Sequence, residues 1–208
     1  MAKFIIITVI SCMALSAVLS QTGVITKIAN WFITRKFCQG HPYTFLAMFI
    51  LSFFVIGTFM EATAVTIMYI NLAVEICNKL GYKKGDKFYT VMMCGIYWGN
   101  AVVSAGSPIS HVLPLLLIAA AAPALGVTIS FGQWLMVGIP FEIVSYLLLM
   151  LVIRFIWKPE TDKFVNYDIE AMRKANPPLS KEGKITTVIF LLVVIVWLFP
   201  QFGTAIWP

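Results

Sequence analysis

Gly57-Thr58-Phe59-Met60-Glu61-Ala62-Thr63-Ala64-Val65-Thr66-Ile67-Met68 decides the reading of this chain, because it sets a carboxylate, Glu61, between two apolar segments, residues 43–59 and 64–77. At the centre of a bilayer a charged side chain costs roughly 2.5–3.5 kcal/mol on insertion scales, so it is kept where it faces a cavity, an ion or a partner. Neither segment reaches the roughly 20 apolar residues that a spanning helix needs. The pair therefore reads as a re-entrant helical hairpin over residues 43–79, with its tip at 57–63.

The surrounding composition supports a lipid bilayer as the solvent. With 60% hydrophobic and 12% charged residues over 208 positions, the chain carries more apolar surface than a soluble domain of this size can hide. Further apolar runs occupy residues 4–20, 88–124 with an interruption, 132–155 and 185–199. The fold class expected is all-α, a polytopic protein integral to the cell (inner) membrane. Residues 1–20 also have the layout of a secretory leader, with Lys3, an apolar core and the small residues Ser16, Ala17 and Ser20. The charged region is thin, and we read the segment as an apolar helix.

The net charge of +6 does not indicate nucleic acid as a partner, because the basic residues fall into clusters between apolar runs. These are Lys27, Arg35 and Lys36; Lys79, Lys83, Lys84 and Lys87; and Arg154, Lys158, Lys163, Arg173, Lys174, Lys181 and Lys184. Basic loops stay on the cytoplasmic side. The chain between the first two clusters must then enter and leave from that side, which a re-entrant hairpin does. Between the second and third there is room for an outward crossing, 88–124, and a return, 132–155.

The outward crossing is broken at Ser104-Ala105-Gly106-Ser107-Pro108, since proline lacks a backbone donor and disfavours helix in the residue before it. Residues 24–36 alternate Val24, Ile25, Ile28, Trp31 and Phe32 with Lys27, Asn30, Arg35 and Lys36, as a helix lying along the interface does. The resulting organisation is a transmembrane bundle over 1–156, a cytoplasmic linker over 157–184 with a short helix near Asp168 to Lys174, and a last helix over 185–208. The cysteines, Cys12, Cys38, Cys77 and Cys94, have no metal or redox spacing and read as small packing residues.

Two interrupted elements, the hairpin tip and the broken helix, can meet near mid-membrane, where helix ends offer partial charges and free backbone groups to an ion or substrate. The alternative is that Gly57 and Gly106-Ser107-Pro108 only kink packed helices. Glu61 leads the candidates, as an oxygen ligand for a coupling cation or as a proton carrier, unless it sits at the interface on a shallow hairpin. Glu142, after Pro140, is read as structural before coupling. His111 is read as a pH-sensitive group or a partner for a freed carbonyl, with a satisfied structural histidine preferred. No P-loop, H-E-x-x-H or G-x-S-x-G is present, so the expectation is that the chain is not an enzyme and needs no cofactor.

Several of these stretches resemble the divalent anion/sodium symporters of the ion transporter superfamily. Gln21-Thr22-Gly23-Val24 is similar to the end of a family helix, and the opening stretch lines up with the tip pattern S-x-x-x-S-N-T-A-T-x-x-M. Gly106-Ser107-Pro108-Ile109 is similar to G-T-P-I, while Ile129-Ser130-Phe131-Gly132-Gln133-Trp134 and Gly138-Ile139-Pro140 resemble I-S-F-G-x-W and G-x-P. At the tip, Glu61 and Ala62 stand where the family has serine and asparagine. The resemblance implies half of an inverted-repeat transporter, with 185–208 opening a second, mostly absent repeat. It implies a small anion as substrate (a di- or tricarboxylate or sulfate), Na⁺ or H⁺ as coupling ion, and a second transporter half or a homodimer as partner. The implied site is Glu61, Thr63, Ser104, Gly106, Ser107 and Pro108, with Na⁺ at Glu61, Thr63 and Ser104. The other expectations are a non-transporting membrane partner or decayed remnant, and a proton-coupled antiporter or metalloid permease of the same superfamily.

Overall fold

The computed structural model describes residues 10–198, apart from 12–13, 16, 122–123, 128, 167, 169, 171–172 and 174–177. The apolar run 4–20, the linker helix expected near Asp168 to Lys174 and the far end of 185–208 lie wholly or largely outside the described residues. Every regular element among those residues is helical.

Helix α1, Val24–Ile33, buries Val24, Ile25, Ala29 and Ile33 and leaves Trp31 outside under the Arg35 guanidinium, 3.4 Å from the ring centre. The amphipathic stretch thus ends as a helix at Ile33, short of residue 36, and a tight turn over Lys36–Cys38 follows. Helix α2, Pro42–Phe59, starts on a proline whose fixed φ suits the first turn. It is apolar all round and runs through the centre, burying Phe45, Leu46, Phe49, Ile50, Phe53 and Phe54.

Helix α3, Ala62–Leu80, closes on Gly81 at φ 79°, where the Tyr82 amide returns to the Cys77 carbonyl at 2.8 Å. Its last turns are held by a Glu75–Lys79 pair four residues apart. These ends correct the sequence reading of two short legs. The helices hold 18 and 19 residues, so each is about 27–28 Å long, close to the hydrocarbon thickness. Length therefore no longer separates a re-entrant pair from a spanning one.

Helix α4, Lys87–Gly106, packs along α2 and α3. It approaches α2 closely because Gly95 faces Ile50 and Gly99 faces the rings of Phe53 and Phe54. A second seam is aromatic, with Tyr69 of α3 within 5.2 Å of the Phe49 ring and 5.0 Å of the Phe53 ring. The buried Tyr69 hydroxyl donates to Ser52, which donates to the Phe49 carbonyl. A chain of this kind leaves no buried donor unpaired.

The break expected from residue 104 falls three residues later. Ser104, Ala105 and Gly106 are still helical, the backbone turns extended at Ser107, and helix resumes as α5, Val112–Leu116, running into a wider turn over Leu117–Ala121. The cause is Pro108, whose influence reaches only one residue back. Helix α6, Phe131–Leu151, opens on a reciprocal cap between Ser130 and Gln133, carries Pro140 inside, and widens into a π turn over Val152–Trp157. Helix α7, Lys181–Leu198, begins four residues before the expected 185.

The stretch read as a linker is anchored at its start. Phe164 is buried against Phe45 and Phe88, Tyr82 donates to the Glu160 carbonyl, and Lys163 pairs with Asp86 at 2.7 Å. The Lys163 ammonium and then the Lys83 amide hold the Asp86 carboxyl below the usual range, while burial pushes the Tyr82 hydroxyl up to about 12.

Among the described residues, two helices, Pro42–Phe59 and Phe131–Trp157, are long and apolar enough to cross a membrane. The second shows its apolar side chains outward, with Met136, Val137, Phe155 and Ile156 each more than 65% exposed. Helix α7 does the same with Val188, Leu191 and Leu192. A surface of this kind is covered by lipid or protein rather than water.

Candidate functional site

At the hairpin tip two residues, Met60 and Glu61, lie between the helices. Phe59 ends α2, Met60 is extended at φ −134° and buried, Glu61 precedes α3, and the Ala62 amide donates to the Ser110 carbonyl at 2.9 Å. This bond joins the tip to the break in α4. The two interrupted elements therefore do meet, through their backbones.

Within the break the chain satisfies its own freed groups. Ser110 donates to the Val103 and Ser107 carbonyls, and Ser107 accepts from the Ile109 amide at 3.2 Å. Gly106, Ser107, Pro108 and Ser110 are all buried. Serine suits this place because its hydroxyl replaces helical partners without adding bulk.

Glu61 has a task that the sequence did not reveal. Its carboxylate accepts from the Ala64 amide at 2.7 Å and so caps the first turn of α3. An anion there is favoured by the positive end of the helix dipole. Thr63 is exposed on the same turn.

Ser104 and His111 line one cavity of about 440 Å³, together with Asn100, Leu113, Leu117 and Trp134. Its polar end carries Asn100, which is joined to Thr66 of α3 at 3.0 Å. Its other wall is fixed by Trp134, whose indole donates to the Ala105 carbonyl at 3.1 Å. Glu61 and Thr63 do not line it. His111 caps α5 by accepting from the Leu113 amide at 3.2 Å. The ring thus takes an amide hydrogen rather than giving one to a carbonyl.

The second carboxylate is the more deeply placed. Glu142 of α6 is 5% exposed, and its Oε2 lies 2.5 Å from Thr58 Oγ1, one residue before the end of α2. A methyl group added to Gly106 would collide with the Glu142 carboxyl, and one added to Gly138 would collide with the Gly106 carbonyl. Hairpin tip, break and α6 thus converge on Glu142 and Thr58. Thr58 was overlooked in the sequence, where the available signal was a hydroxyl in an apolar helix, next to the tip.

Helices interrupted at a common point, with polar groups gathered there and apolar faces outside, are a construction that membrane transport proteins use. More particularly, the chain belongs to the citrate transporter family, whose sequence profile matches residues 4–207. It is similar to the sodium-dependent dicarboxylate transporter SdcS of Staphylococcus saprophyticus, 25% identical over 163 residues, which cover 73% of this chain and 31% of that protein. It is also similar to an uncharacterized transporter of Haemophilus influenzae, 23% identical over 157 residues, covering 73% of this chain and 30% of that protein. These matches bear out the resemblance to anion symporters. The chain spans about a third of the length of the curated relatives it matches. No solved structure matches it significantly.

Proposed function

We propose that this chain forms part of a secondary active transporter that carries a small anion, a di- or tricarboxylate or sulfate, across the cell membrane by alternating access coupled to Na⁺ or H⁺. The observation that carries the proposal is the bond from the Ala62 amide to the Ser110 carbonyl, which ties the hairpin tip to the break in α4. In this reading 1–156 is a multi-pass transmembrane bundle whose α2 and α3 dip in from one side, 157–184 faces the cytoplasm, and 185–208 opens the next repeat. The chain supplies one half of an inverted-repeat site, and a second half or a second copy completes it. The candidate contacts are Glu61, Thr63, Ser104, Gly106, Ser107 and Pro108, with the backbone groups of tip and break as ion ligands. Support comes from the family, from the similarity to a protein named a sodium-dependent dicarboxylate transporter, and from the apolar outer faces of α6 and α7.

The test is uptake of labelled citrate, succinate and sulfate by vesicles containing the full-length protein, with sodium and proton gradients imposed separately. Uptake of one anion driven by one gradient is expected. Equal uptake with and without both gradients, for all three anions, overturns the reading.

A further inference from the structure

Thr58 Oγ1 lies 2.7 Å from the Phe54 carbonyl oxygen and 2.5 Å from Glu142 Oε2, and both are acceptors if the carboxylate is ionised. A hydroxyl has one hydrogen to give. The contact with Phe54 is the usual return of a helical threonine to the carbonyl four residues back. That contact uses the hydrogen, so the one in the contact with Glu142 belongs to the carboxyl. If instead Thr58 donates to an ionised Glu142, two oxygens of Thr58 and Phe54 stand 2.7 Å apart with no hydrogen between them.

The other oxygen points the same way. Oε1 of Glu142 is buried and has no hydrogen-bond partner among the described residues. An ionised carboxylate leaves an uncompensated charge there, whereas the carbonyl oxygen of a neutral acid tolerates an unmade bond far better.

Among the described residues, no positive charge stands by to change this balance. On α6, Tyr146 donates to the Ala47 carbonyl, and Arg154 lies over the Tyr43 ring at the far end. On α4 the titratable groups are Lys87, Tyr89, Cys94 and Tyr97; on α7 they are Lys181, Glu182 and Lys184, all in its first turns. His111 accepts from its own helix. Thr58 and Gly106 are what α2 and α4 present to the carboxyl.

We propose that Glu142 is a proton-binding site, holding its proton against Thr58 in this conformation and releasing it when tip and break part. On release the proton passes to water, Glu142 becomes a carboxylate, and Thr58 turns its hydrogen from Phe54 to Oε2. The Thr58 hydroxyl sits one residue from the end of α2, so the state of Glu142 is felt at the tip. That the proton is carried as a coupling ion rests on the transport reading above; that it is bound does not.

The test reads the proton directly, by infrared spectroscopy of the full-length protein in lipid at neutral pH. A carbonyl-stretch band of a protonated carboxylic acid is expected in the wild type and in Glu61→Gln, and it is expected to disappear in Glu142→Gln, whose amide can still donate to Thr58. Thr58→Val moves the band to higher frequency, and Thr58→Ser restores it. A wild-type spectrum identical to that of Glu142→Gln in this region overturns the proposal. Should the band be present while no anion moves, the transport reading falls and the proton site stands. Anion uptake that keeps its pH dependence in Glu142→Gln overturns the carrier role.

Discussion

The backbone of Gly138 rests on the carbonyl of Gly106, so α6 crosses the end of α4 with no side chain between them. A methyl group at position 138 meets backbone and has nowhere to go. One at position 106 meets the Glu142 side chain, which can swing. Gly138→Ala is therefore expected to be the more damaging, and Gly106→Ala to cost about 1–3 kcal/mol, as overpacking typically does. Thermal unfolding of the purified protein measures both. Combining Gly106→Ala with Glu142→Ala is expected to cost less than the sum of the two, since the second change removes the group that the first one strikes.

At the tip, the Glu61 cap predicts a split between two substitutions. Glu61→Gln keeps an oxygen for the Ala64 amide and should leave the melting temperature nearly unchanged. Glu61→Ala removes it, at a cost of about 1 kcal/mol, the usual loss for a helix cap. Equal loss in both variants means that the charge, not the cap, is what Glu61 contributes.

Along the seam between α2 and α4, a methyl on Gly99 stands 2.6 Å and 2.9 Å from atoms of the Phe53 ring. Two buried helices set the position of that ring, so Gly99→Ala is expected to cost about 1–3 kcal/mol. Gly132, at the start of α6, has nothing within 4 Å of the same added carbon. There the substitution should be neutral or stabilise by up to about 1 kcal/mol, through the smaller entropy of alanine in the unfolded chain. Chemical denaturation of the two variants side by side checks the contrast.

The Asp86–Lys163 pair makes the start of the linker sensitive to acid. The Lys163 ammonium lowers the Asp86 carboxyl in the folded protein, so the pair contributes stability that is present above the unfolded carboxylate's pKa and fades as pH falls through the lowered folded value. Amide protection factors across residues 160–166, which divide out the intrinsic pH dependence of exchange, should be the same at pH 6 and pH 8 and should fall towards about pH 3, below the ordinary carboxylate range. Lys163→Met is expected to remove that dependence. Phe164, buried against Phe45 and Phe88, should hold the segment in place in that variant at neutral pH.

Much of the fold was legible along the chain. Gly57 to Thr63 marked a turn between helices and Ser107-Pro108 marked a break, because proline and glycine act within a turn of where they stand. Helix ends were missed by a few residues wherever a local device lengthened them, as Pro42 and Gly81 did for α2 and α3. The contacts of the candidate site were less legible. Glu61 was placed first because it stood alone in an apolar run, and the structure adds that one of its oxygens caps its own helix. Glu142 was placed second because a proline preceded it, and it became the point where three elements converge.

The sequence by itself determined that this protein is helical and largely apolar, and that it carries a polar tip and a broken helix within its apolar segments, since composition and short-range chemistry set those properties. Only the tertiary structure decided which polar groups share a site. Thr58 and Glu142 lie 84 residues apart, and they meet because Gly106 and Gly138 let α4 and α6 reach backbone contact, while Gly95 and Gly99 leave room on α4 for the Ile50, Phe53 and Phe54 side chains of α2. Which partner a buried carboxyl finds depends on how those helices are registered against one another, and no periodicity within a single helix records that.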